Sequence, residues 1–468
     1  MTSRPTVAVI GAGFSGLLTA LHLLADPDGP QVRLIERAGA FARGAAYATG
    51  NPRHILNVRV ANMSAFPADP QHFQHWLDRR PGWQARAGFV TRGCYGDYLQ
   101  DMLWRCAESP AAAGRLLLEA DEVTHLRREG AGWRLTMAMG REFSVDAVVL
   151  ALGVMSPAPP TGASAALGQS PLYIADPWRA ADAVPEGVGP VLLLGSGLTM
   201  IDVALSLEDT GRRMVALSRR GLLPLSHAED EITPLTGRYA GSPAQVLQQA
   251  RRRRDGTEWR DVIDGLRPHV SGLWRQWDLA ERRQFLRHLR PWWEAGRHRM
   301  APSIARRINQ MIARGQLTIQ AGRTVAVDPG FRQVHVTWRP KGEKATRTRA
   351  FDALVNCTGP GADLQLSGSP LVQSLLAQGI IRPDPNHVGI DVDPEARVLD
   401  LTDAPLDSLR VVGALSRAAR WEITSVPDIR VQAAATAFSL ITALRETAPR
   451  DAGGDPDFSP SPANARLH

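Results

Sequence analysis

Apolar residues come along this chain in short unbroken runs. The two sharpest turn at once onto glycines: Val7-Ala-Val-Ile-Gly-Ala-Gly-Phe-Ser-Gly16 and Val191-Leu-Leu-Leu-Gly-Ser-Gly-Leu-Thr-Met200. A run that is apolar at every position predicts a strand buried on both faces of a parallel sheet, and the apolar period after the first turn predicts a helix from Leu17 to Leu24. Further strands are expected at Val32-Arg-Leu-Ile-Glu36, at Ala147-Val-Val-Leu-Ala-Leu-Gly153 and at Met214-Val-Ala-Leu-Ser218, while Leu116 to Leu126 and Trp133 to Val145 alternate like a small meander. A helical, arginine-rich segment spans about Pro243 to Arg314. Strands resume at Val334-His-Val-Thr-Trp338, at Phe351-Asp-Ala-Leu-Val-Asn-Cys-Thr-Gly-Pro360 and at Leu409-Arg-Val-Val-Gly-Ala414, before a helix from about Pro427 to Leu444.

The glycines have separate steric tasks. Gly11 makes the strand-to-helix turn, Gly13 lets the backbone meet a pyrophosphate at the helix N-terminus, and Gly16 lets the helix lie close on the strand. Glu36, at the end of the next strand and roughly 20 residues on, is placed to take a ribose hydroxyl. Ser15 in the turn, Arg37 beside Glu36, and Gly153 and Gly359 at the ends of later strands are further cofactor-facing candidates. In the second copy Gly195, Ser196, Gly197 and Thr199 take the corresponding places, but no third glycine follows. Its next strand ends in Ser218-Arg219-Arg220 rather than in an acid. A guanidinium there suits the 2'-phosphate of NADPH, although solvated arginines, or arginines on the pyrophosphate of NADH, would read the same way.

Two dinucleotide sites in one chain point to FAD reduced by NADPH or NADH. The expected fold class is α/β, with two Rossmann-like dinucleotide-binding domains and the nicotinamide domain inserted into a discontinuous FAD domain. The expected boundaries are 1–160 and 326–448 for the two parts of the FAD domain, and 161–325 for the nicotinamide domain with its Arg/Trp-rich helices. A Gly/Pro/Asp/Ser-rich tail at 449–468 is expected to be disordered.

Composition narrows the function classes. At 468 residues and 44% apolar content the chain can bury a large core. It has no apolar stretch of the ~20 residues that span a bilayer, and its first residues run straight into a strand, so neither membrane nor signal peptide is expected and the reading is cytoplasmic. Three cysteines, Cys94, Cys106 and Cys357, form no Cys-x-x-Cys pair, which excludes a dithiol redox centre. Twelve scattered histidines give no metal site. The net charge of +7 and Arg251-Arg-Arg-Arg254 with Trp259, Trp274, Trp277, Trp292 and Trp293 nearby raise nucleic acid as a partner. Arginine is used along the whole chain, however, with lysine only at Lys341 and Lys344, and tryptophans at these spacings read as core. No nucleic-acid partner is expected; oligomeric state is not legible.

Several longer words accompany the glycines: Gly44-Ala-Ala-Tyr47, His54-Ile-Leu-Asn-Val58, Met63-Ser-Ala-Phe-Pro67, Arg297-His-Arg-Met-Ala-Pro302 and Thr424-Ser-Val-Pro-Asp-Ile-Arg430. With them the chain resembles the bacterial family described as FAD/NAD(P)-binding proteins, relatives of the two-dinucleotide flavin monooxygenases. The resemblance implies a small-molecule substrate, O2 as co-substrate, and hydroxylation through a C4a-peroxyflavin. Within the family it implies, most specifically, a bacterial FAD-dependent urate hydroxylase forming 5-hydroxyisourate. The same resemblance places the segment 45–65 beside the isoalloxazine, so that His54 and Asn57 could bond flavin or substrate, His54 could move a proton, and Tyr47 could stack nearby. A lone histidine on a partly apolar segment is more often a satisfied structural residue than a proton carrier. Arg297, His298 and Arg299 form a second group suited to an anionic heterocycle, though a salt-bridged helix end would look the same. Thr424, Ser425 and Val426 open a late helix whose dipole could face the pyrimidine edge of the flavin, or simply cap it.

Two departures stand out. Ala414 follows Gly413 where related flavoproteins commonly carry Asp to hold the ribityl chain, and 169–178 lack the histidine of the Baeyer–Villiger fingerprint. A flavin reductase or dehydrogenase without oxygen insertion, and a noncatalytic flavin-binding regulator, remain as alternatives.

Overall fold

Its apolar run buries the first strand, β1 (Thr6–Ile10), on both faces, and parallel neighbours take up its backbone groups on either side. The computed structural model describes residues 4–80, 88–229, 234–254 and 258–447. The strands that follow in the first unit are β2 (Gln31–Ile35), β3 (Leu116–Glu119), β4 (Val123–Glu129), β5 (Gly132–Met137), β6 (Glu142–Val145) and β7 (Ala147–Leu150). In the second come β8 (Tyr173–Ile174), β9 (Val191–Leu194), β10 (Met214–Ser218), β11 (Leu317–Pro329), β12 (Val334–Pro340), β13 (Arg347–Phe351) and β14 (Ala353–Asn356), and the chain ends its strands with β15 (Arg397–Leu399) and β16 (Pro405–Val411). One sheet of six strands runs β15-β16-β7-β1-β2-β3, one of seven runs β13-β12-β11-β10-β9-β14-β8, and β4-β5-β6 form a meander of three. This is the two-dinucleotide-binding-domain flavoprotein fold.

Three expectations are corrected. Leu116–Glu119 is not part of the meander: it pairs parallel to β2, from Val32↔Leu116 to Ile35↔Glu119, and forms an edge of the six-stranded sheet. The strands at 334–338 and 351–356 do not bring the chain back to the first unit. β11 begins parallel to β10, at Met214↔Leu317, and continues antiparallel to β12, which carries β12 and β13 along in the second sheet. β14, buried at all of its positions, slots parallel beside β9. The first sheet is rejoined by β16, with Leu409↔Val148, as expected from the last apolar run.

Between β10 and β11, neighbours in the seven-stranded sheet, the chain makes the helical segment, with helices at Pro243–Arg253, Trp259–Gln276, Leu279–Gln284, Arg290–Arg297 and Pro302–Ala313. Trp274, Trp277, Phe285 and Trp293 form a core there together with Val388 and Trp421 from the returning chain. These tryptophans are therefore packing groups, and Trp292 alone of the set singled out in sequence is more than half exposed, at 56%. The last helix, Val426–Thr447, packs on the first, Phe14–Ala25, through Ala433, Ala437 and Leu440. The expected tail lies outside the described residues. Among the described residues no helix is long and apolar enough to cross a membrane.

Candidate functional site

At the end of β1 the chain turns where side chains could not follow. Gly11 has φ +99°, and a Cβ there would lie 2.3 Å from the carbonyl oxygen of Ala151; a Cβ on Gly16 would lie 1.8 Å from that of Gly11. Gly13 caps the helix Phe14–Ala25 in extended conformation with no side-chain cap, so the first helical amides have no side-chain partner at that end. The Glu36 carboxylate, at the end of β2, reaches this turn and accepts the Ala12 N–H at 3.0 Å through Oε2. A bare, glycine-lined helix N-terminus with a carboxylate at its edge fits a dinucleotide pyrophosphate and ribose. Arg37 is exposed and 3.9 Å from Glu122. Gly44 backs onto Gly13, and Tyr47 packs edge-on against Tyr95 at 4.8 Å and Phe14 at 6.3 Å, its hydroxyl pushed up to about 12 by burial. Gly153 and Gly359 both have positive φ, +70° and +92°, and open space where a Cβ would stand.

The second turn repeats the first after β9. Gly195 has φ +117°, and its Cβ would meet the Cys357 carbonyl oxygen at 2.2 Å. Gly197 caps the helix Leu198–Leu207 without a side-chain bond, and Thr199 follows in its first turn, partly exposed. Ser196 and Ser218 face each other: the two hydroxyls are 2.7 Å apart, and Ser218 Oγ accepts the Gly221 N–H at 3.0 Å. They brace the turn against the end of β10. Arg219 is exposed there, while Arg220 donates to the Arg287 carbonyl at 3.0 Å.

The three residues singled out for chemistry are held apart by their partners. His54 is 5% exposed; Nδ1 lies 2.9 Å from Thr49 Oγ1, and Nε2 lies 2.9 Å from Ser206 Oγ and 3.1 Å from the Asp202 carbonyl. Burial lowers its pKa, against the pull of Asp202. Its neighbours make the segment a strap between the units: Arg53 pairs with Asp209, Asn51 Nδ2 donates to Ser206 Oγ at 3.2 Å, and Arg92 Nη2 donates to Asp202 Oδ2 at 2.9 Å. Asn57 offers its backbone carbonyl to His227 Nε2 at 2.9 Å, and burial drives the pKa of that imidazole down to about 4. Arg299, 2% exposed, donates both Nη groups to Asp264 at 2.8 and 2.9 Å and Nε to the Gly296 carbonyl at 2.8 Å.

At the late helix, Thr424 is exposed while Val426 is buried in the first unit's core. Ser425 hydrogen-bonds Asp428, and the Asp428 N–H donates to the Ser425 carbonyl at 3.1 Å. Sequence reasoning missed Gln432. Its Oε1 accepts the Gly413 N–H at 2.9 Å and its Nε2 donates to Ser416 Oγ at 2.8 Å, so the loop containing Ala414 is fixed from the last helix. No local signal marks a glutamine inside a helix for such a task.

A family model described as FAD-NAD(P)-binding matches residues 8–155. No curated protein matches the chain. Solved structures do. The Kutzneria sp. 744 ornithine N-hydroxylase, determined with reduced FAD, NADP+ and L-ornithine, is 14% identical over 95% of this chain and 99% of its own, with a TM-score of 0.62. L-lysine 6-monooxygenase from Pseudomonas syringae is 17% identical over 95% and 99%, with a TM-score of 0.62. The bacillithiol disulfide reductase of Staphylococcus aureus is 13% identical over 95% and 99%, with a TM-score of 0.56. At these identities the likeness is one of fold.

Proposed function

We propose that the chain is an FAD-dependent, NAD(P)H- and O2-using monooxygenase that hydroxylates a small planar substrate, and that urate, converted to 5-hydroxyisourate, is the first substrate to try. The observation that carries this reading is the pair of glycine turns, one at the end of β1 and one at the end of β9, each leaving a helix N-terminus bare for a pyrophosphate. In this reading the six-stranded unit holds FAD and the seven-stranded unit admits the nicotinamide. Flavin, when bound, supplies hydride acceptance and oxygen activation.

The chain's own residues supply placement. Gly11, Gly13 and Gly16 admit the FAD pyrophosphate, and Glu36 exchanges its bond from Ala12 for the adenosine ribose. Ser15 lies against Gly413 beneath the same helix, where a Cβ on Gly413 would come within 2.4 Å of Ser15 Oγ. Gly195 and Gly197 serve the nicotinamide dinucleotide, with Arg219 free of the brace formed by Ser196 and Ser218 and able to reach a 2'-phosphate. Thr424 stands at the exposed start of the last helix, where the dipole favours negative charge on a reduced pyrimidine edge.

The test is direct. Purified protein should carry or take up FAD, and NADH or NADPH should reduce it anaerobically. Urate should then stimulate nicotinamide oxidation with hydroxylated product exceeding peroxide. Nicotinamide oxidation that yields peroxide alone with every substrate would make the chain a reductase, and failure of both nicotinamides to reduce bound FAD would leave a flavin-binding regulator. The disulfide-reductase variant of the alternative is disfavoured by the free Cys94, Cys106 and Cys357, two of them buried.

A further inference from the structure

Two arginines flank His298, and their surroundings are opposite. Arg299 has its donors matched by Asp264 and Gly296. Arg297, with a side chain only 9% exposed, ends the helix Arg290–Arg297, and neither Nε nor Nη2 has a hydrogen-bond acceptor. These two nitrogens form one edge of the guanidinium, the edge that grips a planar pair of oxygens. Glu422 Oε2 lies 3.3 Å from Nε but off the N–H direction, and its other oxygen already accepts the Trp293 indole N–H at 2.8 Å. Buried donors are ordinarily satisfied, so an idle two-donor edge calls for an occupant.

The charge balance around this edge has the same sense. Asp264 matches Arg299, Glu294 matches Arg290 at 2.7 Å, and Asp428 lies 3.5 Å from Arg267. Glu422 is the carboxylate nearest to Arg297, which leaves Arg417, stacked 3.7 Å over Trp421, only a distant share of Glu294 at 3.7 Å. The cluster thus holds one cation more than its carboxylates. The neighbouring imidazole registers the field: burial first, then Arg297, Arg417, Arg267 and Arg290, bring the pKa of His298 down to about 3, so it stands neutral within the cluster. Arg267 also reaches Ser425 Oγ at 3.5 Å, which ties the cluster to the N-terminal turn of Val426–Thr447, where the helix dipole adds to the attraction for an anion.

Resting on the monooxygenase reading, we propose that Arg297 receives the paired anionic oxygens of the substrate, as a carboxylate or the equivalent edge of an acidic heterocycle. The substrate class is then narrowed to organic anions with two coplanar oxygens or an oxygen and a deprotonated nitrogen. Arg267 and the neutral His298 belong to the same charge cluster, and Glu422, held by Trp293, is the ion-pair partner of Arg297.

The experiment is calorimetric titration of the FAD-loaded full chain with urate, benzoate and acetate, with benzamide as the neutral partner of benzoate. FAD content and the flavin midpoint potential are measured in parallel. At least one anion should bind saturably, and benzoate at least about tenfold more tightly than benzamide. Arg297→Gln combined with Glu422→Gln, which replaces the ion pair by a neutral pair, should weaken that anion at least about tenfold while FAD content stays unchanged. If the double variant does not fold, Arg297→Lys keeps the charge and removes the fork, and should still weaken binding several-fold. Anions that bind the folded variants as tightly as the unaltered protein, or that fail to bind at all, overturn the proposal. So does a variant that keeps its anion affinity but loses FAD or shifts the midpoint potential, since Arg297 would then serve the flavin. A colourless protein that refuses FAD defeats the flavoenzyme reading instead, and the same titration on it still reports on the anion edge.

Discussion

Gln432 holds Gly413 from the opposite side of the first cradle: the side-chain amide takes the Gly413 N–H at 2.9 Å and gives its own N–H to Ser416 Oγ, which lies 2.8 Å from the Gly413 carbonyl. All three residues are buried, and Gly413 adopts φ +88° against Ser15. A neutral amide thus fixes the loop in which Ala414 replaces the expected carboxylate.

Replacing that amide by an apolar side chain of similar length, Gln432→Met, leaves the Gly413 N–H buried without an acceptor. The expected loss is about 1–3 kcal/mol of stability, seen as a lower melting temperature, with weaker FAD retention because the loop sits on Ser15. Gln432→Glu keeps the acceptor and should retain more of both than the Met variant. Equal FAD affinity in all three proteins would separate the loop from the cofactor.

The glycine turns give a sharper steric contrast. Gly16→Ala would set a methyl 1.8 Å from the Gly11 carbonyl oxygen, and backbone cannot yield there without parting the helix from the strand. Loss of FAD binding or of soluble protein is expected. Gly197 has φ −84° and nothing within 4 Å of its Cβ position, so Gly197→Ala should fold normally and keep FAD. Its expected defect is a raised KM for the nicotinamide, measured by steady-state reduction; an unchanged KM would remove Gly197 from the nicotinamide cradle.

Stability should fall on mild acidification. Burial, opposed in part by the Asn57 carbonyl, brings His227 down to about 4, so the folded protein keeps a neutral imidazole while the unfolded chain protonates below about 6.5. The unfolded state then binds more protons, and stability present above pH 6.5 is lost as pH falls toward 4, by on the order of 2 kcal/mol from this group. His227→Gln retains a donor for Asn57 and does not titrate, so its urea midpoint should vary less between pH 7 and pH 5 than that of the unaltered protein. Identical slopes would place the pH dependence elsewhere.

What the sequence made legible was local. Gly11 and Gly16 are legible as the tight points of a strand-to-helix turn because its steric demands fall on residues close in the chain, and Glu36 is legible as the acid ending the next strand, where its carboxylate meets that turn. The segments at 334–338 and 351–360 read as strands but point to the wrong sheet, since an apolar run does not carry the name of its neighbour; β11 supplies it for the first and β9 for the second. The same limit governs the arginines. Nothing in Arg297-His298-Arg299 distinguishes the saturated guanidinium from the idle one, because Asp264 and Glu422 arrive from distant helices and loops. The task of Gln432 is equally invisible, being set by the loop it meets across 19 residues.

His54 poses the remaining question of role, and its partners make the answer measurable. Both ring nitrogens face protein atoms, Thr49 on one side and Ser206 with the Asp202 carbonyl on the other, and the pKa is lowered by burial. An imidazole so engaged ties the strap 49–58 to the helix Leu198–Leu207 and has no proton to exchange with a ligand unless one of those bonds opens. His54→Ala should therefore cost about 2–4 kcal/mol, combining an unfilled site with abandoned donors and acceptors, and should loosen the second unit against the first. His54→Asn, which retains hydrogen-bonding capacity without a titrating ring, should recover part of that loss. If the residue is structural, turnover of the folded Asn variant keeps the pH profile of the unaltered protein even where its rate is lower. If it moves a proton in the reaction, the Asn variant loses a limb of that profile, and the strap then has to open during the catalytic cycle.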